Sequence, residues 1–203
     1  INDIFKSTGW KRADDRLVFR GLNVLDSNSV KFVIGEDAYL INLYRSFSDM
    51  HDDLENFFQK NKIKYFHGYP SAIYQFAVYC SQYENRELLS KIKKHLNGVL
   101  LGSEFPAQAY RDVIERVFNV RSISWYGHSE MTVLAPERVE PYVYYPYQTY
   151  GFCEALPSEE GITRMIGTSF HHLDTPFVRY DTEDSIDVIS SEQGLLESFS
   201  IAN

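Results

Sequence analysis

The run Tyr126-Gly127-His128-Ser129-Glu130 holds the side chains of this 203-residue sequence best suited to chemistry. A flat tyrosine ring can stack on a base, and glycine lets a ligand approach the backbone. Ser129 can donate to a phosphate oxygen, and Glu130 can hold magnesium. His128 has the type of a general base, but no nucleophile and orienting acid stand around it, so packing or hydrogen bonding is its plainer use. A second, weaker run is Gly102-Ser103-Glu104, which any strand-to-helix turn can carry. For both runs the competing reading is a helix start with an acid near its positive end. Pro176 to Asp184 forms a third cluster, in which a carboxylate at a strand end can accept two hydrogen bonds from a ribose diol. Read alone, that cluster is as well an acidic β-turn with Arg179 paired to a neighbour. His171-His172-Leu173-Asp174 suggests a metal, yet adjacent side chains on a strand point to opposite faces and do not readily share one ion.

These residues need elements to hold them. Ser122 to Tyr126 alternates polar and apolar residues as a half-buried strand does, and it breaks at Gly127. Upstream, Val99-Leu100-Leu101 runs into Gly102, and Pro106 to Phe118 between the two strands has a helical pattern. Strand, helix, strand implies a right-handed crossover between parallel neighbours. Both glycine-terminated ends then belong at the carboxyl edge of the sheet, where open α/β folds bind ligands. Glu104 and Glu130 are expected to open into one cleft.

The same logic extends upstream. Leu17-Val18-Phe19 and Val30 to Ile34 read as short strands, and Ser48-Asp49 as a helix start with acids in its first turn. Lys64-Tyr65-Phe66 is a strand ending at Gly68, and Pro70-Ser71 opens a helix whose Ile73, Phe76, Ala77 and Cys80 fall on one face. A further helix spans roughly Arg86 to His95. After Glu130 the texture changes: Pro136, Pro141, Pro146 and Pro157 punctuate β-prone runs such as Tyr142-Val143-Tyr144-Tyr145. Gly151 to Leu156, Thr163 to Phe170 and Phe177 to Ile189 read as antiparallel strands. The fold class is therefore α/β, an open, largely parallel sheet with crossover helices (1–130) followed by an antiparallel β-rich portion (131–203).

Composition narrows the function. A net charge of −8 argues against a general nucleic-acid or anionic-membrane surface while leaving room for a local basic phosphate site. With Cys80 and Cys153 the only cysteines, no disulfide framework or four-thiolate zinc site can form. No apolar run is long enough to span a bilayer and no signal peptide is present, so a reducing cytoplasm is the expected location. Ile1 at the start, and an apolar-alternating segment running up to Asn203, suggest a chain cut at both ends.

Taken together, the chain resembles the adenylate-forming ligases of the phenylacetate–CoA ligase type, and most of all their relatives from capsular-polysaccharide gene clusters. The resemblance rests on Asp15 to Gly21, Gly68-Tyr69-Pro70-Ser71-Ala72-Ile73, Gly102-Ser103-Glu104, Tyr126 to Glu130, and Pro176 to Asp184. It implies the large domain of an acyl-adenylating enzyme, with ATP/AMP and magnesium as ligands, a small carboxylic acid as substrate, and a thiol such as CoA as acceptor. It is also compatible with a homodimer. By the same resemblance Gly102, Ser103 and Glu104 line the adenine and ribose region, Tyr126 stacks near adenine beside Gly127, and Ser129 meets the α-phosphate. Glu130 binds magnesium, Asp184 holds the ribose hydroxyls, and Gly68, Tyr69, Pro70 and Ser71, with His128, border the acid pocket. Glu183 stands where these ligases have glycine in a Thr-Gly-Asp triplet, which bears on the ribose turn. Their Gly- and Ser/Thr-rich phosphate loop and C-terminal lysine have no match here, Ser7-Thr8-Gly9 being too short. The 203 residues alone are accordingly expected to be silent in ATP–pyrophosphate exchange. A non-catalytic binding or scaffold protein on the same fold is the competing reading.

Overall fold

A computed structural model describes residues 2–21, 27–158, 161–171 and 174–202. The chain divides into two compact units, Ile1–Ile123 and Ser124–Asn203.

The first unit is built on a parallel sheet. After a short helix α1 (Asn2–Ser7) come β1 (Arg16–Phe19), β2 (Val30–Val33) and β3 (Ala38–Ile41). Helix α2 (His51–Lys60), β4 (Tyr65–Gly68), α3 (Pro70–Cys80), α4 (Arg86–Lys93), β5 (Gly98–Leu101) and α5 (Gln108–Phe118) follow. Strand order is β2-β3-β1-β4-β5, with the first residues of β6 (Ser122–Gly127) next in line. Pairing is parallel from β3 through β5, and β2 runs antiparallel to β3. The expected strand–helix–strand unit is present, and Val99 N–H donates to Arg121 O at 3.1 Å at the approach to β6.

Sequence periodicity accounts for the main core. Ile73, Phe76, Ala77 and Cys80, spaced for one face of α3, are all fully buried. They meet Leu17, Phe19, Phe66, Val99 and Leu101, the strand residues that point to the helical side. Phe76 lies within aromatic contact of Phe19, Phe58, Phe66 and Phe118. Helix α5 ends at Asn119 in the left-handed conformation (φ 57°), a residue type suited to that cap.

Two elements differ from the sequence expectation. Helix α2 begins at His51 and not at Ser48, because Ser46 takes up Ser48 through a hydroxyl pair at 3.0 Å and accepts from Asp49 N–H at 3.1 Å. Such local side-chain bonds hold a turn against the helix. Strand β3 was not expected: Ala38, Leu40 and Ile41 are all buried, so the period-2 alternation that marks a half-exposed strand is broken.

The alternate strand residues Val18, His67 and Leu100 face the side of the sheet on which Phe5 lies, its ring centroid 5.3 Å from that of His67. His67 is buried; its Nδ1 faces Leu100 O at 3.2 Å and its Nε2 faces Arg20 Nη2 at 2.9 Å. The carbonyl can only accept and the guanidinium only donate, so the imidazole is neutral with its proton on Nδ1. Burial first, then the nearby Arg20 charge, push its pKa down to about 3. A folded pKa below the unfolded value of about 6.5 means that the unfolded chain binds the extra proton between these limits. Stability contributed by His67 is thus present above about pH 6.5 and is lost as pH falls towards 3, by at most about 1.4 kcal/mol per pH unit. Urea midpoints of the wild type and His67→Gln, followed from neutral to acid pH, should show a difference in slope of that sign; parallel curves would refute it.

The second unit carries the antiparallel strands. β6 pairs with β7 (Leu134–Pro136), and β8 (Gly151–Pro157), β9 (Thr163–Ser169), β10 (Tyr180–Glu192) and β11 (Leu195–Ile201) close into a four-stranded barrel in the order β10-β11-β8-β9. Its core holds Val133, Ala135, Tyr144, Cys153, Met165, Ile186, Leu196 and Phe199. The β-prone run 142–145 forms no strand: Tyr142 is left-handed (φ 65°), and only Tyr144 bridges, to Phe199 and Glu137. Prolines 141 and 146 bracket that run and limit its ladder.

Candidate functional site

In the first unit the two glycine turns touch. Gly102 N–H donates to Gly68 O at 3.1 Å, so the turns after β4 and β5 are joined through their backbones. Gly68 has φ +144°, and a β-carbon there would lie 2.2 Å from Phe19 O. The Glu104 carboxylate accepts from Ser71 N–H at 3.1 Å and from Ser71 Oγ–H at 3.0 Å. Pro70 opens α3, so these bonds place the acid at that helix's positive end. An acid at a helix start is the plainer of the two readings of Gly102-Ser103-Glu104, and Glu104 serves α3 and not the helix that follows it. Ser103 and Glu104 are exposed, with Ser103 left-handed (φ 68°).

In the second unit the structure gathers Tyr126, His128, Glu130 and Asp184. Tyr126 Oη–H donates to Asp184 Oδ2 at 2.5 Å across a sequence separation of 58. Burial and then that hydrogen bond raise the phenol's pKa, so the proton stays on the tyrosine. His128 Nδ1 lies 3.0 Å from Glu130 Oε2, and His128 Nε2 lies 3.0 Å from Thr132 Oγ1. With a carboxylate on one side, the imidazole donates from Nδ1, while its Nε2 faces a Thr132 hydroxyl that can donate or accept. Tyr180 Oη–H reaches the other oxygen, Glu130 Oε1, at 3.3 Å. Glu130's own backbone N–H first, then His128 and more weakly Tyr180, hold its carboxyl below the usual range. Glu130 is therefore an ionised carboxylate held from two sides.

Gly127 continues β6, where an added β-carbon would come within 3.3 Å of the Leu134 side chain. The Ser129 side chain is exposed and makes no hydrogen bond among the described residues. Thr132 and Tyr180 are the members that sequence reasoning missed. Thr132 is fully buried, and a β-carbon at Gly167 would sit 2.3 Å from its Oγ1. Of the paired histidines, His171 lies against the Tyr150 ring at 4.4 Å and His172 falls outside the described residues. No cluster of three or more metal-ligating side chains occurs among the described residues.

This is the fold of acyl-adenylating ligases. A 2-hydroxyisobutyryl-CoA ligase, solved in an open conformation with 2-HIB-AMP and CoA, matches with a TM-score of 0.62 at 14% identity, over 98% of this chain and 45% of that one. A malonyl-CoA ligase solved with methylmalonyl-CoA and AMP matches at 0.55 and 14% identity, over 100% and 46%. The acyl-CoA synthetase of Brucella canis matches at 0.59 and 13%, over 98% and 40%. The chain thus spans less than half the length of these structures. No family model and no curated protein matches the sequence. No helix among the described residues is long and apolar enough to cross a membrane.

The fold also bears on Glu183. That residue is left-handed (φ 63°), the conformation that glycine adopts without strain. Around it Glu183 N–H donates to Asp181 Oδ1 at 2.9 Å and Asp184 N–H to Thr182 Oγ1 at 3.3 Å. The irregular stretch of β10 between Asp181 and Ser185 forms despite the side chain, and the cost is local. Glu183→Gly should stabilise the protein by about 0.5–1 kcal/mol, strain relief outweighing the entropy of a glycine. A lower urea midpoint in that variant would show that the Glu183 side chain makes a contribution of its own.

Proposed function

We propose that this chain is the nucleotide- and acid-binding part of an ATP-dependent ligase that activates a carboxylic acid as its acyl-adenylate. The observation that carries the reading is the Tyr126–Asp184 hydrogen bond beside a Glu130 carboxylate held by His128 and Tyr180, on a fold shared with acyl-CoA ligases. In the reaction a carboxylate oxygen attacks the α-phosphorus of ATP, the bond to the bridging oxygen breaks, and pyrophosphate leaves. The acyl group then passes to a thiol, for which CoA is the candidate.

Each side chain takes a role its geometry permits. Asp184 uses only Oδ2 towards Tyr126, which leaves Oδ1 for a ribose hydroxyl. The Tyr126 ring, fixed at its hydroxyl and packed edge-on against Phe199 at 5.4 Å, offers a rigid surface to an adenine. Ser129, exposed on the turn, would donate to the α-phosphate. Glu130 suits magnesium, which proteins usually hold through one or two carboxylates together with substrate phosphates. Both its oxygens keep lone pairs beyond the bonds from His128 and Tyr180. Magnesium, when bound with ATP, supplies neutralisation of phosphate charge. Gly68, Tyr69, Pro70 and Ser71 border the acid, while Gly102, Ser103 and Glu104 serve the nucleotide. Glu104 would do so from its place at the α3 terminus. We assign the enzyme to the phenylacetate–CoA ligase type and its pathway to capsule or surface polysaccharide synthesis, on the motifs alone.

ATP–pyrophosphate exchange by the intact protein, with magnesium and a panel of aryl and small aliphatic acids, tests the proposal. Acid-dependent exchange is expected. Nucleotide binding with no exchange for any acid would favour the scaffold reading, to which Glu183 in place of glycine gives its one specific support.

A further inference from the structure

The first unit has a concave site far in its topology from the glycine turns. Parallel strands β1 and β3 begin at Arg16 and Ala38, whereas Gly68 and Gly102 follow the ends of β4 and β5. At the edge where β1 and β3 begin lies a cavity of about 710 Å³ lined by Lys6, Trp10, Lys11, Arg12, Arg16 and Asp37. Four cations face one carboxylate there, in a chain whose net charge is −8. A local excess of positive charge against the sign of the whole molecule focuses the field on anions.

Arg16 anchors the site. Its guanidinium donates through Nη2 to Glu36 O at 2.7 Å and lies 5.3 Å from the Phe5 ring centroid and 5.9 Å from that of Trp10. Its Nε is buried and has no hydrogen-bond partner among the described residues. Buried N–H groups without partners are uncommon and call for a ligand or another physical reason. Arg12 is exposed and makes no hydrogen bond or ion pair among the described residues. Among the described residues Lys6 is engaged only by an exposed contact to Asp3 at 3.5 Å, a pair weak enough to open.

We propose that this cavity binds a small phosphorylated anion such as pyrophosphate or a phosphomonoester. Four cations against Asp37 and the nearby Glu36 leave a net positive charge suited to a dianion. The exposed Arg12 fork matches phosphate oxygens in pairs, Arg16 adds its remaining N–H groups, and the lysines add mobile donors. The cavity is too small and the chain too acidic for a nucleic-acid track.

The test is titration of the 203-residue chain with pyrophosphate, phosphate and AMP, and with citrate as a polyanion without phosphorus, following the Trp10 indole N–H by NMR. Pyrophosphate should bind saturably, more tightly than citrate, and more weakly as salt rises. Lys11→Ala with Arg12→Ala, both exposed side chains whose loss spares the core, should weaken pyrophosphate binding about tenfold or more, equivalent to about 1.4 kcal/mol. Asp184→Asn in the second unit should leave that binding unchanged, even where it weakens AMP, so the two sites are separable. Absence of saturation, equal affinity in the double variant, citrate binding as tight as pyrophosphate, or loss in Asp184→Asn would each overturn the proposal.

Discussion

Gly68→Ala should destabilise the first unit by about 3–5 kcal/mol, a large share of the stability of an ordinary domain. Two costs combine. The backbone at φ +144° is one that side-chain-bearing residues rarely adopt, which costs about 1–3 kcal/mol. The added β-carbon would also sit 2.2 Å from Phe19 O and 2.7 Å from Phe19 C, backbone atoms fixed by pairing. Phe19 is the register partner of Gly68, and its carbonyl accepts from Tyr69 N–H at 3.0 Å. Relief therefore requires parting β1 from β4 at the centre of the sheet, and overpacking of that kind costs about 1–3 kcal/mol more. Because Gly68 O also accepts from Gly102 N–H, both glycine turns would move together. Gly35→Ala is the control: a β-carbon there meets nothing within 4 Å, and a change under about 0.5 kcal/mol is expected. An unchanged urea midpoint for Gly68→Ala would mean that the junction of β4 with α3 is far softer than its contacts imply.

The difference between Gly68 and Gly35 also shows what a sequence can disclose. A glycine after an apolar run marks a strand end, but only the neighbouring strand reveals which glycine has a carbonyl pressed against it. Local patterns were legible: Pro70 followed by Ile73, Phe76, Ala77 and Cys80 defined α3 and its buried face. Strand β3 was not, since burial at Ala38, Leu40 and Ile41 removes the alternation on which a strand assignment rests. The same division holds in the candidate site. Tyr126, His128 and Glu130 are close in sequence, so their association could be read directly. Asp184 entered through a family resemblance, because no periodicity links positions 58 apart. Tyr180 and Thr132 had no local signal. The register that pairs Tyr180 with Gly167, and the side-chain-free surface of Gly167 against Thr132, are products of barrel closure. Glu183 shows the reverse case, in which a departure noticed in the sequence falls on a backbone position that is left-handed in the structure.

In the intact protein Glu130→Gln is expected to lower kcat by about 10²–10³-fold, equivalent to about 2.7–4 kcal/mol, while KM for ATP changes little. The fold around residue 130 can absorb the amide. Tyr180 can still donate to the amide oxygen. On the other side the new amide N–H would meet the proton on His128 Nδ1, but the imidazole can change tautomer and accept at Nδ1. It then donates from Nε2 to the Thr132 hydroxyl, which can accept as well as donate. The hydrogen-bond chain from Thr132 through His128 to position 130 thus reverses its direction without losing a bond. What disappears is the negative charge, which in the proposed role would hold a magnesium ion against the charge developing on the phosphate in the transition state. Thr132→Val provides the complementary case: it removes the hydroxyl partner of His128 Nε2 and leaves the carboxylate in place. Losing a group that orients a ligand from behind typically costs about 10–100-fold. Steady-state kinetics of both variants across pH decide the matter. If Glu130→Gln raises KM and lowers kcat by equal factors, with Thr132→Val silent in both, Glu130 is a carboxylate that fixes the turn after β6 and takes no part in the chemistry.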